Sequence, residues 1–177
     1  VKRVPAPNHF FFVSTVKYNP EMNNQADIKQ QLVRHLEGGQ AFSTIETVLR
    51  KMPFEKTGVV PEGLPYSFYQ LFAHIRIAQL DILEYCTLEN YAAGNWPDDY
   101  WPDDTAPESR ESWTELTEAY FSERKKFCEL ILNPETDLMK PFEANKQHNL
   151  FRQAGLIIEH TAYHTGQLYI IHRLLNT

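Results

Sequence analysis

The segment 67–90 carries an apolar residue at almost every angle of a helical wheel: Phe68, Leu71, Phe72, Ile75, Ile77, Leu80, Ile82 and Leu83. A helix that is apolar all round must be covered on most of its sides, so other elements have to pack about it. Three more long pieces are at hand. Residues 26–37 space Ile28, Leu32 and Leu36 by four, the repeat of one helix face. Residues 109–132 put Trp113, Leu116, Tyr120, Phe127, Leu130 and Ile131 on an inner side, and Asn133-Pro134 ends that run. Residues 150–175 form the last helix. A shorter piece, 43–51, follows Gly38-Gly39 and stops at Pro53. The strand signal is weak throughout. The prediction is all-α: a four-helix bundle with a long crossover loop, 91–108, between the second and third main helices. Its 177 residues fit one domain with a sizeable core. We assign 23–177 to the bundle and 1–22, rich in proline, aromatics and asparagine, to an irregular arm with one short extended piece at 10–16.

Charge narrows the function classes. The net charge is −6 and no stretch concentrates lysine and arginine. Phosphates would be repelled, which argues against nucleic acid and against an anionic membrane surface as partners. No apolar run approaches the ~20 residues of a membrane span. The start has no small-residue cleavage site after its apolar patch, so no signal peptide is expected. Two cysteines, Cys86 and Cys128, give no disulfide framework. A reduced, cytoplasmic setting is the expectation, although a single Cys86–Cys128 bridge stays open. Both thiols are expected on the outer flanks of their helices with no adjacent base, which disfavours thiol nucleophile chemistry. Neither a glycine-rich phosphate loop nor a Gly-x-Ser-x-Gly elbow is present.

The histidines carry most of the functional signal. On the last helix His164 falls about 40° from His160, in the middle of a core-facing stripe with Leu156, Ile157, Ile171 and Leu174. Gln153 and Gln167 share that stripe. Polar groups on a core face must find partners or destabilise the fold by roughly 1–3 kcal/mol each, and a metal ion with its surroundings would satisfy all four. Near His74 the same helix sector carries Gln70, Ala78, Asp81 and Tyr85. Asp81 lies two turns on, roughly 10 Å along the axis, too far to share an ion with His74 but placed to line a pocket. Taken singly, a histidine pair spaced by four is more often a pair of satisfied polar residues than a ligand pair. Three imidazoles on two core faces favour a divalent metal with an open coordination position, the arrangement of a catalytic site. His172 is off the stripe, His148 precedes the helix, and His9 and His35 have no partner. Glu159 points about 100° aside and is not the base of a His-Glu-x-x-His motif. The aromatic, acidic loop 96–104, with Trp96 and Trp101, is expected to cover or border the pocket mouth. The competing expectation is that both tryptophans only pack the crossover.

With these residues in view the chain resembles the DinB-like (DinB/YfiT) superfamily. The resemblance rests on His74, on His160 and His164 followed by Gly166-Gln167-Leu168, on Ile75-Arg76-Ile77-Ala78-Gln79 with Asp81-Ile82-Leu83-Glu84, and on Trp96-Pro97 with Tyr100-Trp101-Pro102. It covers about residues 25–175 and leaves out the arm. It implies a four-helix bundle with a long crossover, often dimeric. It also implies a zinc- or nickel-type divalent ion on His74, His160 and His164; Gln167, Gln153, Asp81 and Gln70, which share the helix faces of these histidines, are expected in the surrounding shell or pocket. Characterised relatives include bacillithiol S-transferases and a mycothiol-dependent maleylpyruvate isomerase. The function expected is therefore a metal-dependent hydrolase or thiol S-transferase acting on a small molecule, a low-molecular-weight thiol being one candidate substrate. No catalytic residue beyond the metal site is assigned. The alternative is a non-catalytic metal- or ligand-binding stress-response protein.

Overall fold

The computed structural model describes residues 24–176; the arm expected at 1–22, including the extended piece at 10–16, lies outside them. Five α-helices form: α1 (Asn24–Glu37), α2 (Ile45–Lys51), α3 (Phe68–Thr87), α4 (Arg110–Leu132) and α5 (Leu150–Leu175). Short 3-10 turns occupy Phe54–Lys56 and Asp98–Tyr100. The second lies inside the loop read from sequence as wholly irregular. Apart from an isolated bridge between Pro141 and Asn149, the described residues hold no strand. No described helix is long and apolar enough to cross a membrane.

The helix starts follow from local chemistry. Ser67 accepts a hydrogen bond from the Gln70 amide N–H at 3.1 Å, and the Gln70 side chain accepts one from the Ser67 N–H at 3.1 Å. Ser109 and Ser112 repeat this reciprocal arrangement at α4, and the Asn149 side chain accepts from Arg152 N at 2.9 Å at α5. Each such cap stabilises its helix by about 1 kcal/mol. Gly38 and Gly39 end α1 with φ of 82° and 79°, a left-handed conformation that side chains disfavour. Gly58 is needed for space: a Cβ there would sit 2.3 Å from the Ala106 Cβ, so only glycine lets the turn after α2 seat against the end of the crossover.

The four long helices pack as a closed ring, α1 against α4 and α5, and α3 against α4 and α5. Side-chain pairs give the senses. Phe68 and Phe72 meet Trp113, Phe72 also meets Tyr120, and Arg76 pairs with Glu123. Numbers rise together, so α3 and α4 run parallel and the chain must return along the bundle between them. That is the physical reason for the crossover. His74 meets His160 and His164, whereas Tyr85 reaches His148 before α5 begins, so α3 and α5 are antiparallel. The Arg76–Glu123 pair, 2.6 Å at its shortest and nearly buried on the glutamate side, joins α3 to α4. Removing one partner of such a pair would strand the other charge.

Two apolar clusters fill the ring. One gathers Leu32, Val33 and Leu36 of α1 with Leu83, Phe127, Ile131, Leu150 and Ile157. The other gathers α2 with Phe68, Leu71, Phe72, Ile75, Tyr120, Leu168 and Ile171. Several expectations shift by one position. Ile28 is exposed and Lys29 is buried in its place, its stem covered and its ammonium donating to Asn133 O at 2.8 Å beyond the end of α4. Leu174 is 52% exposed; the packed face of α5 passes instead through Leu168, Ile171 and Leu175, because α2 joins α3 against its last turns. Cys128 is in the first cluster and Cys86 packs against it, correcting their assignment to outer flanks. α4 packs against both α1 and α3, so a wider arc of it is buried than one stripe suggests. Both cysteines are free.

Candidate metal centre

Between the two apolar clusters, α3 and α5 turn imidazoles toward each other. One ring nitrogen from each of His74, His160 and His164 lies within 4.8 Å of the others. Ring centroids are 4.8 Å apart for His74–His160, 4.9 Å for His74–His164 and 4.4 Å for His160–His164. His160 and His164 meet because residues four apart share a helix face; His74 joins them because the antiparallel packing brings the middle of α3 alongside. His74 and His164 are buried and His160 is half-buried. Among the described residues no cysteine or carboxylate joins the group.

Hydrogen bonds set the tautomers of two rings. His74 Nδ1 faces the Tyr100 carbonyl oxygen at 2.8 Å. That oxygen can only accept, so Nδ1 carries the proton and Nε2 keeps its lone pair. His164 Nδ1 likewise donates to Gln167 Oε1 at 2.5 Å. The freed His74 Nε2 points at His160 Nε2, 3.0 Å away. Two nitrogens bound to one tetrahedral zinc at about 2.0–2.1 Å stand about 3.3 Å apart. The donors are the right type and neutral, the His74–His160 pair is close to the spacing a shared ion requires, and the His164 nitrogen lies within 4.8 Å of both. The residues present fit a divalent metal, with three protein donors and the remaining positions left to other ligands.

Electrostatics favour lone pairs over protons. Burial lowers the pKa of all three rings. For His160 burial and then the neighbouring His164 and His74 take it down to about 3. The Tyr100 carbonyl partly opposes this at His74, and Gln167 does so at His164. The two thiols are pushed the other way by burial, Cys86 up to about 12 and Cys128 to about 11, so neither is a nucleophile near neutral pH.

The crossover borders the cluster. Trp101 stacks on His74 at 4.1 Å with ring planes 5° apart, and Trp96 lies 6.1 Å from the same ring. Trp101 in turn stacks on Tyr66 at 5.3 Å. Trp96 is 67% exposed, and Tyr163, 4.8 Å from His164, is 65% exposed. One wall is thus dry and packed, while two aromatic rings stand at a wet rim.

The other residues singled out from sequence separate into three places. Gln167 touches the cluster through His164. Gln70 is engaged at the start of α3 and reaches the crossover at Pro102 O, 3.4 Å away, which fixes the helix and its loop. Asp81 and Gln153 line a different cavity farther along the α3–α5 seam. His148, just ahead of α5, bonds to the Tyr85 hydroxyl, and Asn149 caps the helix. Periodicity and motif reading miss the Tyr100 carbonyl and the Trp101 stack. The first is a backbone group and has no sequence signal; the second shows only as the aromatic content of a loop.

A family model described as the DinB superfamily matches residues 39–168. The match is narrower than the 25–175 suggested by the motifs, since α1 lies ahead of it, but it includes His74, His160 and His164. No curated protein and no solved structure matches the chain significantly.

Proposed function

We propose that this chain, which belongs to the DinB superfamily, is a metal-dependent enzyme that hydrolyses a small molecule or transfers a low-molecular-weight thiol to one. The observation that carries the reading is the trio of neutral imidazoles, two of them fixed by Nδ1 hydrogen bonds so that Nε2 stays free. A zinc or nickel ion held by His74, His160 and His164 would supply Lewis acidity near neutral pH. The chain's own residues do the rest. The Tyr100 carbonyl holds His74 in one tautomer, and Gln167 does the same for His164. Such partners commonly change metal affinity or activity 10–100-fold. The Trp101 ring excludes water from one face of His74. Trp96 and Tyr163 give apolar surface at the rim on which a substrate can rest.

The test is a screen of activated esters and of thiol-plus-electrophile pairs on the metal-loaded protein. Turnover is expected with at least one class, lost after chelation and restored by adding zinc or nickel. An activity that survives complete metal removal would contradict the mechanism.

A further inference from the structure

A second polar site lies on the same seam. Asp81, Ile82 and Tyr85 of α3, Tyr91 of the crossover, and Arg152, Gln153 and Leu156 of α5 line an open cleft of about 300 Å³, near the lower end of small-ligand pockets. None of the three clustered histidines lines it. The polar groups in it are unequally satisfied. The Tyr91 hydroxyl donates to Asp81 at 2.6 Å, and Tyr85 bonds to His148 at 2.9 Å. Gln153 is only 3% exposed, yet its amide has no hydrogen-bond partner among the described residues. Beside it, the Arg152 guanidinium also lacks a partner among the described residues.

We propose that this cavity binds a small carboxylate-bearing molecule, its carboxylate paired with Arg152 and hydrogen-bonded by the Gln153 amide, its apolar body against Tyr85, Tyr91 and Leu156. A guanidinium matches a carboxylate with two parallel hydrogen bonds, and an adjacent amide donor adds a third. Asp81 accepts from the Tyr91 hydroxyl and holds that ring in place as a wall. The apolar remainder of the lining suits a ring or short chain. Leu156, at the edge of the cleft, lies one helical turn from His160. This assignment rests on the proposed function only in treating the carboxylate as a substrate; binding itself needs no metal.

The probe is 3-phenylpropionate, with 3-phenylpropionamide as its uncharged counterpart, titrated by calorimetry into chelator-treated full-length protein. Saturable binding of the acid is expected, with the amide failing to compete. Arg152→Gln should weaken it by about tenfold or more, and Gln153→Leu should weaken it less while leaving the fold intact by circular dichroism. Three results would overturn the assignment: no saturation below about 10 mM, equal affinity in Arg152→Gln, or binding that occurs only with metal present. The last would place the carboxylate on the histidine cluster. Loss of enzyme turnover with carboxylate binding preserved would count against the catalytic reading alone.

Discussion

The two apolar clusters and the histidine cluster between them obey opposite rules. In the clusters, Phe68, Phe72, Phe127 and Ile131 are fully covered and need nothing further. In the middle of α3 and α5, three imidazoles pack against one another, with one ring nitrogen of each within 4.8 Å of the others. The first arrangement stabilises the bundle by itself. The second gathers donors that a shared metal ion would draw on. The lesson is that α3 and α5 carry fold and function in alternating segments: apolar residues at the ends hold the helices in register, and that register brings the donors together.

The largest expected effect breaks the apolar side. Phe72→Ala removes a fully buried ring from the second cluster and should cost about 3–5 kcal/mol of unfolding free energy, read by urea denaturation. The folded fraction should still bind metal. If the metal site vanished with no loss of stability, the clusters would not be the independent frame described. A smaller effect sharpens the polar side. Gln167→Leu frees His164 from its tautomer-setting partner and should weaken metal affinity by about 10–100-fold, measured by competition with a chromophoric chelator, with little change in the stability of the metal-free protein.

The smallest effect is the pH response of the metal-free fold. Burial leaves each imidazole binding its proton more weakly folded than unfolded, so below about pH 6.5 the unfolded chain takes up more protons. Stability is therefore full above that point and is lost as pH falls, the His160 contribution running down to about pH 3. Carboxylates titrate over the lower part of that range, so the comparison belongs between pH 7.5 and 5.5. The chelated wild type should lose more stability there than chelated His160→Gln. Equal losses would mean that the cluster is not held neutral by the fold.

Much of this contrast is legible in the order of the residues alone. The all-round apolar pattern of α3 demands a bundle, and the apolar repeat delimits α5, although its cap, Asn149, stands outside that repeat. His160 and His164 declare themselves by their spacing, while His74 requires the assumption that two core faces meet. Other features depend on packing that periodicity does not encode. The burial of Lys29 in place of Ile28 reflects how α1 lies against the end of α4. The burial of Cys128 reflects a helix with two neighbours. Arg152 has the sequence context of an ordinary surface charge, and only the cavity places it beside an unpartnered Gln153.

The central claim, that the fold assembles a three-imidazole metal site, is tested most directly by calorimetric titration of the chelated protein with zinc, beside His164→Ala and His172→Ala. The account predicts one ion per chain for the wild type and for His172→Ala, and no stoichiometric binding for His164→Ala. A wild type that binds no ion, or a His164→Ala variant that still binds one per chain, would contradict it.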